Sequence, residues 1–365
     1  MRVPFLDLTA QYRTLQSEIW EALNRVLERG RFILGPEVEA FEAEFAAYLG
    51  VPYAVGVASG TDGLTLALQA LGIGPGDEVI TVSHTAVATV TGIERAGARP
   101  VLVDIDPTTW TIDPAAVRAA ITDRTRAVVV VHLYGNPADL DTIQAICQSH
   151  GLYLVEDACQ AHGARYRHRR VGTIGHVGVF SFYPTKNLGG YGDGGMVVTA
   201  DPTVAERLRR LREYGWRQRF VSEEVGTNSR LDEIQAACLR VKLPHLDEWN
   251  ERRRSLAGLY REALRDTPVR FQGVLPGAEP VYHLFVIQAP DRDGLQAFLT
   301  EHGIGTMVHY PQAVHQQPAY RRLGGSALPV TERIVREVLS LPLYPELSET
   351  AVEYVADRVR AFYRR

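Results

Sequence analysis

The sequence predicts an α/β fold, with a large domain on a mostly parallel sheet followed by a smaller α+β domain. Between residues 51 and 199 short apolar runs alternate with helix-patterned segments. The runs Val79-Ile80-Thr81-Val82, Val101-Leu102-Val103, Ala127-Val128-Val129-Val130-Val131 and Tyr153-Leu154-Val155 are β-branched and almost unbroken. A half-solvated strand would alternate apolar with polar residues, so these runs belong to strands covered by helices on both faces. After residue 231 the alternation gives way to a long helical stretch and then to strand, helix and strand patterns, which read as a second compact unit.

The elements follow in order. A helix is expected over residues 9–29, where Leu15, Ile19, Leu23 and Val26 recur at helical spacing and Gly30 supplies the stop. A second begins at Pro36, whose missing N–H has no intrahelical partner at a first position, and repeats Phe41, Phe45 and Leu49. Gly72-Ile73-Gly74-Pro75-Gly76 follows a helix and precedes a strand. That order is the reverse of a dinucleotide-binding loop, so it reads as a turn. The helical stretch from Leu231 is interrupted at Pro244 and runs to about Asp266. The domain boundary is placed inside it, giving residues 1–250 to the large domain and 251–365 to the small one. Within the latter, residues 281–288 read as a strand, 291–301 as a helix and 305–308 as another strand.

A chain of 365 residues exceeds the length at which one core usually divides. Its 45% hydrophobic and 22% charged content is that of a globular enzyme, and a net charge of -4 argues against nucleic acid as a partner. The basic cluster Arg165-Tyr166-Arg167-His168-Arg169-Arg170 is either a solvated loop or an attractor for pyrophosphate. Cys147, Cys159 and Cys238 are odd in number and far apart, which suggests neither a disulfide framework nor a thiolate metal site. His162, His168 and His176 lack the i, i+4 spacing of helical metal ligands, so no metal is assigned. Residues 1–7 carry no apolar signal core and no run of eighteen apolar residues is present, so a cytoplasmic location without membrane contact is expected.

Chemistry concentrates in four segments. In Val179-Phe180-Ser181-Phe182-Tyr183-Pro184-Thr185-Lys186-Asn187-Leu188-Gly189-Gly190 one lysine stands between an apolar strand and a glycine loop. A Schiff-base lysine must lose its proton and therefore leave bulk water, and the surroundings of Lys186 suit that. Upstream, the strand Leu152-Tyr153-Leu154-Val155-Glu156 runs into Asp157. Ligands of open α/β sheets lie outside the carboxyl ends of the strands, where Asp157 would meet one. Pyridoxal phosphate (PLP) needs such a carboxylate to keep its pyridine nitrogen protonated; without Lys186 the same aspartate would read as a helix N-cap. The third segment, Ala58-Ser59-Gly60-Thr61-Asp62-Gly63, joins a strand to a helix, so that its amides and hydroxyls would cradle a phosphate at the positive end of the helix dipole. The fourth, Gly226-Thr227-Asn228-Ser229-Arg230-Leu231, offers Asn228 and Arg230 to phosphate or substrate oxygens.

With these residues in place, the chain resembles the PLP-dependent sugar aminotransferases of the DegT/DnrJ/EryC1/StrS family. The likeness runs from Pro4-Phe5-Leu6-Asp7-Leu8 through Phe32-Ile33-Leu34-Gly35-Pro36 to His309-Tyr310-Pro311. It implies an aspartate-aminotransferase-like fold (PLP fold type I) with a seven-stranded sheet. By motif it implies that Lys186 forms the Schiff base and moves the proton, that Asp157 pairs with the pyridine nitrogen, and that Gln160 bonds the phenolic oxygen. Gly60, Thr61 and Ser181 would bind the phosphate, and Asn228 the phosphate of a neighbouring subunit, which makes a homodimer with shared sites. Tyr183, Arg230, His309, Tyr310 and His315 match substrate-lining positions. Where many relatives stack an aromatic residue on the cofactor ring this chain has Ala86, and His84 is the candidate to cover that face, unless it is simply satisfied within its turn.

The resemblance further implies a transaminase taking its amino group from glutamate. The tract around Lys186, Tyr214-Gly215-Trp216 and the His309 to His315 region look most like the branch acting at C3, which makes a dTDP-3-keto-6-deoxyhexose the preferred acceptor. Alternatives are a C4 aminotransferase, a UDP-N-acetyl-sugar 3-aminotransferase and, in another class, a non-catalytic PLP- or sugar-binding sensor.

Overall fold

The structure, a computed structural model, describes residues 1–324 and 327–364. The apolar runs assemble into one seven-stranded sheet made of β1 (Tyr53–Val57), β2 (Glu78–Val82), β3 (Arg99–Val103), β4 (Thr125–Val131), β5 (Tyr153–Asp157), β6 (Val177–Ser181) and β7 (Gly195–Thr199), in the spatial order β1-β7-β6-β5-β4-β2-β3. Strand β7 is antiparallel to both its neighbours, and the remaining pairs are parallel. The mostly parallel seven-stranded sheet implied by the sequence is therefore present.

Twelve helices are described: α1 (Leu8–Arg29), α2 (Pro36–Leu49), α3 (Gly60–Ala70), α4 (Val87–Arg95), α5 (Pro114–Ala120), α6 (Leu140–His150), α7 (Pro202–Leu211), α8 (Glu233–Lys242), α9 (Leu246–Ala263), α10 (Arg292–Glu301), α11 (Pro329–Glu337) and α12 (Glu349–Tyr363). Both faces of the sheet are covered, which is why its strands need no polar alternation. Val55, Val79, Val129, Val155 and Val197 pack with α3, Ile93 of α4 and Leu208 of α7. The intervening Ile80, Val128, Val130, Leu154, Phe180 and Val198 point the other way, to Phe41 and Phe45 of α2, Val117 of α5, Ile143 of α6 and Leu239 of α8. One residue of register slip would exchange these sets, so the two cores jointly fix the pairing.

A further core gathers Leu256 and Tyr260 of α9, Leu295 and Leu299 of α10, Val352 and Val355 of α12, and Val3 from the chain start. Its small antiparallel sheet holds Arg270–Phe271, β8 (Phe285–Gln288) and β9 (Val338–Leu341). Two sequence expectations need correction here. The strand expected over residues 281–288 begins only at Phe285, because Val281 and Leu284 donate backbone hydrogen bonds to Gly135 and Tyr134, in the turn after β4, instead. Residues 305–308 form no strand: Met307 makes a single bridge to Ser340, while Ile304 pairs with Val3 and Gly305 abuts Phe5. The strand in that place is β9, whose short run lies just past α11.

The basic cluster is a hairpin, Arg165–Tyr166 with Arg169–Arg170, and Arg167 and Arg170 have acidic partners. Arg170 bonds Asp247 at 2.9 Å and lies over the Tyr48 ring, and Arg167 pairs with Asp141 at 2.7 Å. No helix of the described residues is long and apolar enough to cross a membrane.

Helix α2 begins without a side-chain cap of its own, since Gly35 occupies the N-cap. Glu233, at the start of α8, supplies it from a distance: its buried carboxylate accepts from the backbone N–H of Gly35, Glu37 and Val38 at 2.9, 3.1 and 2.8 Å. A Cβ on Gly35 would lie 2.7 Å from that carboxylate. Glu233→Ala leaves these buried donors unmet and is expected to cost at least about 2 kcal/mol, read as a lower urea midpoint with an unchanged slope; an unchanged midpoint would show that the joint contributes nothing.

Candidate active site

Strand β5 ends in two adjacent carboxylates that the pleat sends opposite ways. Glu156 faces inward and is fully buried, accepting from the backbone N–H of Gly172, Ile174 and Gly175 at 2.7, 2.7 and 2.6 Å and meeting His132 Nε2 at 3.1 Å. Burial alone would raise its pKa, but the His132 and backbone bonds outweigh this and hold it below the usual value. Asp157 faces a cavity of about 350 Å³ at the carboxyl ends of the strands. Its Oδ2 accepts from Thr89 Oγ1 at 2.8 Å and its Oδ1 from the Cys159 N–H at 3.2 Å; Thr89 Oγ1 also lies 2.9 Å from Thr85 Oγ1.

Lys186 reaches the same cavity from the loop after β6. Desolvation by the walls lowers its pKa below the ordinary lysine value, with Cys159 and Asp157 pulling weakly the other way. The loop is built to hold that place. Asn187 bonds Asn250 at 2.8 Å and the Val281 carbonyl at 3.0 Å, and the buried Lys242 donates to the Gly189 carbonyl at 2.7 Å. A Cβ at Gly189 would lie 2.3 Å from the Pro184 carbonyl oxygen, so the turn needs glycine.

The third wall is the start of α3. Ser59 caps the helix by accepting from Asp62 N–H at 3.1 Å, while the N–H groups of Gly60 and Thr61 have no partner among the described residues. Gly60 packs so tightly that a Cβ would lie 2.8 Å from Cys159 Sγ and 2.9 Å from Ser181 Cβ. Free amides, the Ser181 hydroxyl and the helix dipole make a ready anion seat. A carboxylate, a desolvated amine and this seat around one cavity fit PLP: Asp157 would hold its ring nitrogen, Lys186 its aldehyde carbon, and Gly60, Thr61 and Ser181 its phosphate.

Gln160 lines the cavity but is held by protein on both sides. Its Oε1 accepts the Tyr134 N–H at 2.8 Å and its Nε2 donates to Tyr310 Oη at 3.1 Å. Tyr134, with φ of 63° in the left-handed region, donates its hydroxyl to the His309 carbonyl. Tyr183, His309 and Tyr310 stand in the wall as expected. His84, His315 and Arg230 do not, and Asn228, expected at a neighbouring subunit's phosphate, lies outside this wall. His84 lies beneath the wall and not in it, its Nε2 3.0 Å from Tyr134 Oη and its ring edge-on to that tyrosine; Ala86 itself borders the cavity. His315 is tied behind it by Ser83 Oγ at 2.7 Å and Glu332 at 3.4 Å. Asn228 is exposed and bridges Glu213 through its backbone. Arg230 lines a separate cavity of about 670 Å³ with Arg31, Arg217 and Arg219.

Thr89, Tyr134 and His283 were missed in the sequence. Thr85 and Thr89 at i, i+4 were a visible signal; Tyr134 and His283 carried none. Cys159 borders the cavity and Cys147 and Cys238 are buried, all as free thiols. No group of metal-ligating side chains occurs among the described residues.

A parallel-sheet fold with this lysine, aspartate and anion seat is that of a PLP-dependent aminotransferase. The DegT/DnrJ/EryC1/StrS aminotransferase family matches residues 13–360, and the chain belongs to it. It is 52% identical to dTDP-3-amino-3,4,6-trideoxy-alpha-D-glucose transaminase of Streptomyces venezuelae, over 100% of this chain and 97% of that one. It is 45% identical to dTDP-3-amino-3,6-dideoxy-alpha-D-galactopyranose transaminase of Aneurinibacillus thermoaerophilus, over 99% of each. The crystal structure of S. venezuelae DesV with a ketimine intermediate superposes with a TM-score of 0.98, at 52% identity over 100% of this chain and 99% of that one.

Burial keeps His84 and His162 neutral, with pKa values pushed down to about 4 and about 3. The unfolded chain takes up these protons near the ordinary pKa of 6.5, so the stability is complete above that pH and is lost as pH falls toward 4. The loss is roughly 1.4 kcal/mol per histidine at about pH 5.5. Urea titrations from pH 7.5 to 5 are expected to show this decline, and His162→Leu to flatten it; an identical slope in that variant would refute the assignment.

Proposed function

We propose that the protein moves an amino group from L-glutamate to C3 of a dTDP-3-keto-6-deoxyhexose, giving a dTDP-3-amino-3,6-dideoxyhexose, in a homodimer with shared active sites. The observation that carries this reading is the meeting of Lys186, Asp157 and the α3 anion seat around one cavity. The names of the similar proteins, both dTDP-3-amino sugar transaminases, support the sugar and the position.

When bound, PLP supplies an aldehyde that carries the amino group between substrates and a ring that withdraws electrons from the carbon losing its proton. The chain does the rest. Asp157, aimed by Thr89 and the Cys159 N–H, holds the proton on the ring nitrogen. Gly60, Thr61 and Ser181 anchor the phosphate. Lys186 Nζ, poised toward its neutral form by desolvation, takes the proton leaving Cα of the amino donor and returns one on the acceptor side. His309 and Tyr310, joined to Gln160 and Tyr134, bring the small domain to the sugar and shield the cavity from water.

Asn228 and Arg230 favour the dimer because neither reaches the cavity of its own chain. The neighbouring hairpin Trp216–Gln218 and Val221–Ser222 exposes Phe220 by 73% and Val225 follows at 94%, an apolar tip suited to burial against a second copy.

Holoenzyme with glutamate is expected to aminate a dTDP-3-keto-6-deoxyhexose with release of 2-oxoglutarate, detected by mass spectrometry. Lys186→Ala should lower turnover at least about 10³-fold, and Asp157→Ala should weaken cofactor retention about tenfold as well. Turnover of only 4-keto or UDP-N-acetyl sugars would overturn the acceptor, and cofactor binding without any amino transfer would favour the sensor. Shared sites have their own test. Lys186→Ala and Asn228→Ala subunits, each inactive alone, are expected to regain about a quarter of wild-type activity when mixed as exchanging dimers, since half are hybrids with one intact site; no recovery would overturn site sharing.

A further inference from the structure

A second cavity, of about 410 Å³, adjoins the first. Tyr183, Thr185, His283, Leu284 and His309 belong to the walls of both, so a molecule reacting at Lys186 can extend from one into the other. The second cavity is otherwise lined by Phe5, Leu6, Met307, Leu341 and Leu343, with one cation, Arg253, among these apolar walls.

Arg253 projects from α9 and is 4% exposed. Its three hydrogen bonds all use Nη1, which donates to the carbonyls of Tyr282, His283 and Leu343 at 3.2, 3.5 and 3.1 Å. Nε is buried without a partner, and none of these bonds engages Nη2. Glu346 is the acid whose charge reaches this guanidinium, but no described carboxylate forms an ion pair with it. Burial pushes its pKa down to about 10, which leaves it protonated at neutral pH. A buried charge held only by carbonyl dipoles is costly, and an anion in the adjoining space would offset that cost. His283, between Arg253 and Lys186, adds no second cation: desolvation and these two charges hold its pKa well below 6.5, and its Nδ1 has no partner.

We propose that Arg253 receives the side-chain carboxylate of a dicarboxylic amino donor, so that this second cavity sets the donor specificity. The inference rests on the reading that an amino acid reacts at Lys186. The α-carboxylate is bonded to the reacting carbon and stays in the Lys186 cavity, which Arg253 does not line. The distal carboxylate lies further out, and the methylenes between the two match the apolar walls. A nucleotide pyrophosphate fits less well, because two negative charges would meet one guanidinium whose Nη1 is already committed.

The test uses holoenzyme and follows the donor half-reaction alone, through the cofactor absorbance, with glutamate, glutamine and norvaline. Wild-type protein is expected to favour glutamate in kcat/KM by about 100-fold, and Arg253→Gln to shrink that preference to about threefold, with norvaline little changed. Glutarate binding, measured by calorimetry without turnover, should weaken at least about tenfold in the same variant. Since Arg253 also ties three carbonyls together, Met307→Glu gives a second route. Met307 is 48% exposed on the same cavity wall, and a carboxylate there would compete for the guanidinium and raise the KM for glutamate alone. A full glutamate preference in both variants overturns the proposal, as does an Arg253→Gln defect confined to the sugar half-reaction. If no amino acid reacts at all, the aminotransferase reading itself has failed; if sugars are aminated with equal use of all three donors, only this inference has.

Discussion

The arrangement depends on one constraint: an amine and a carboxylate must face each other across a cavity that water does not dominate. A lysine in bulk water keeps its proton, and only the walls around Lys186 tilt it toward the neutral form. Those walls come from distant stretches of chain, namely the ends of β5 and β6, the first turn of α3 and the His309-Tyr310 segment. The carboxyl ends of parallel strands are where such stretches converge, because each strand there gives way to a loop while its neighbours still hold it in register. The sheet is thus the support for an electrostatic requirement, and its two cores serve to keep the strand ends from moving relative to one another.

Carboxylates that are buried or nearly so do much of that positioning. Glu156 gathers the N–H groups of the turn after the hairpin, Glu233 caps α2 from α8, and Glu42 joins the Gly56 N–H at 2.7 Å to Arg212 at 2.5 Å. Each converts unpaired backbone donors into bonds at a charged acceptor, which is stronger than a neutral one and directional. Two of them, Glu156 and Glu42, lie on or beside strands that run to the cavity. Glu156 precedes Asp157 on the same strand, and Gly56 lies on β1, the strand that leads into Ser59 and Gly60. Displacing either of these acids would shift a wall of the site without touching the chemistry.

What was legible in the sequence was what local order determines. Asp157, Ser181 and Gly60-Thr61 could be read because a strand followed by a small or acidic turn puts those residues at the sheet edge in any doubly covered sheet. Lys186 could be read because its glycine loop has few other uses. The failures involve separations the pattern does not encode. His84 stands in a turn at the cavity edge, yet Tyr134, 50 residues on, takes its Nε2 and turns the ring under the wall. His315 is captured by Ser83 across 232 residues. Arg230 carries suitable chemistry but lines a separate cavity with three other arginines, a grouping that sequence order does not show. Residues 305–308 have strand composition, but the chain start claims Ile304 and Gly305, and β9 takes the sheet edge.

The joint between the strand ends and the loop that closes the cavity follows from the same accounting. Tyr134 sits in a backbone conformation that costs a non-glycine residue of order 1 kcal/mol, and it is held there because it serves three further partners besides His84. Its N–H fixes Gln160, its hydroxyl meets the His309 carbonyl, and its own carbonyl accepts from Leu284. Gln160 then reaches on to Tyr310, so the loop that closes the cavity is bonded to the strand ends that form its floor. With the strained residue at the point of contact, His309, Tyr310 and His283 keep their places relative to Lys186, and the boundary between the lysine cavity and its apolar neighbour is set by packing and not by the substrate.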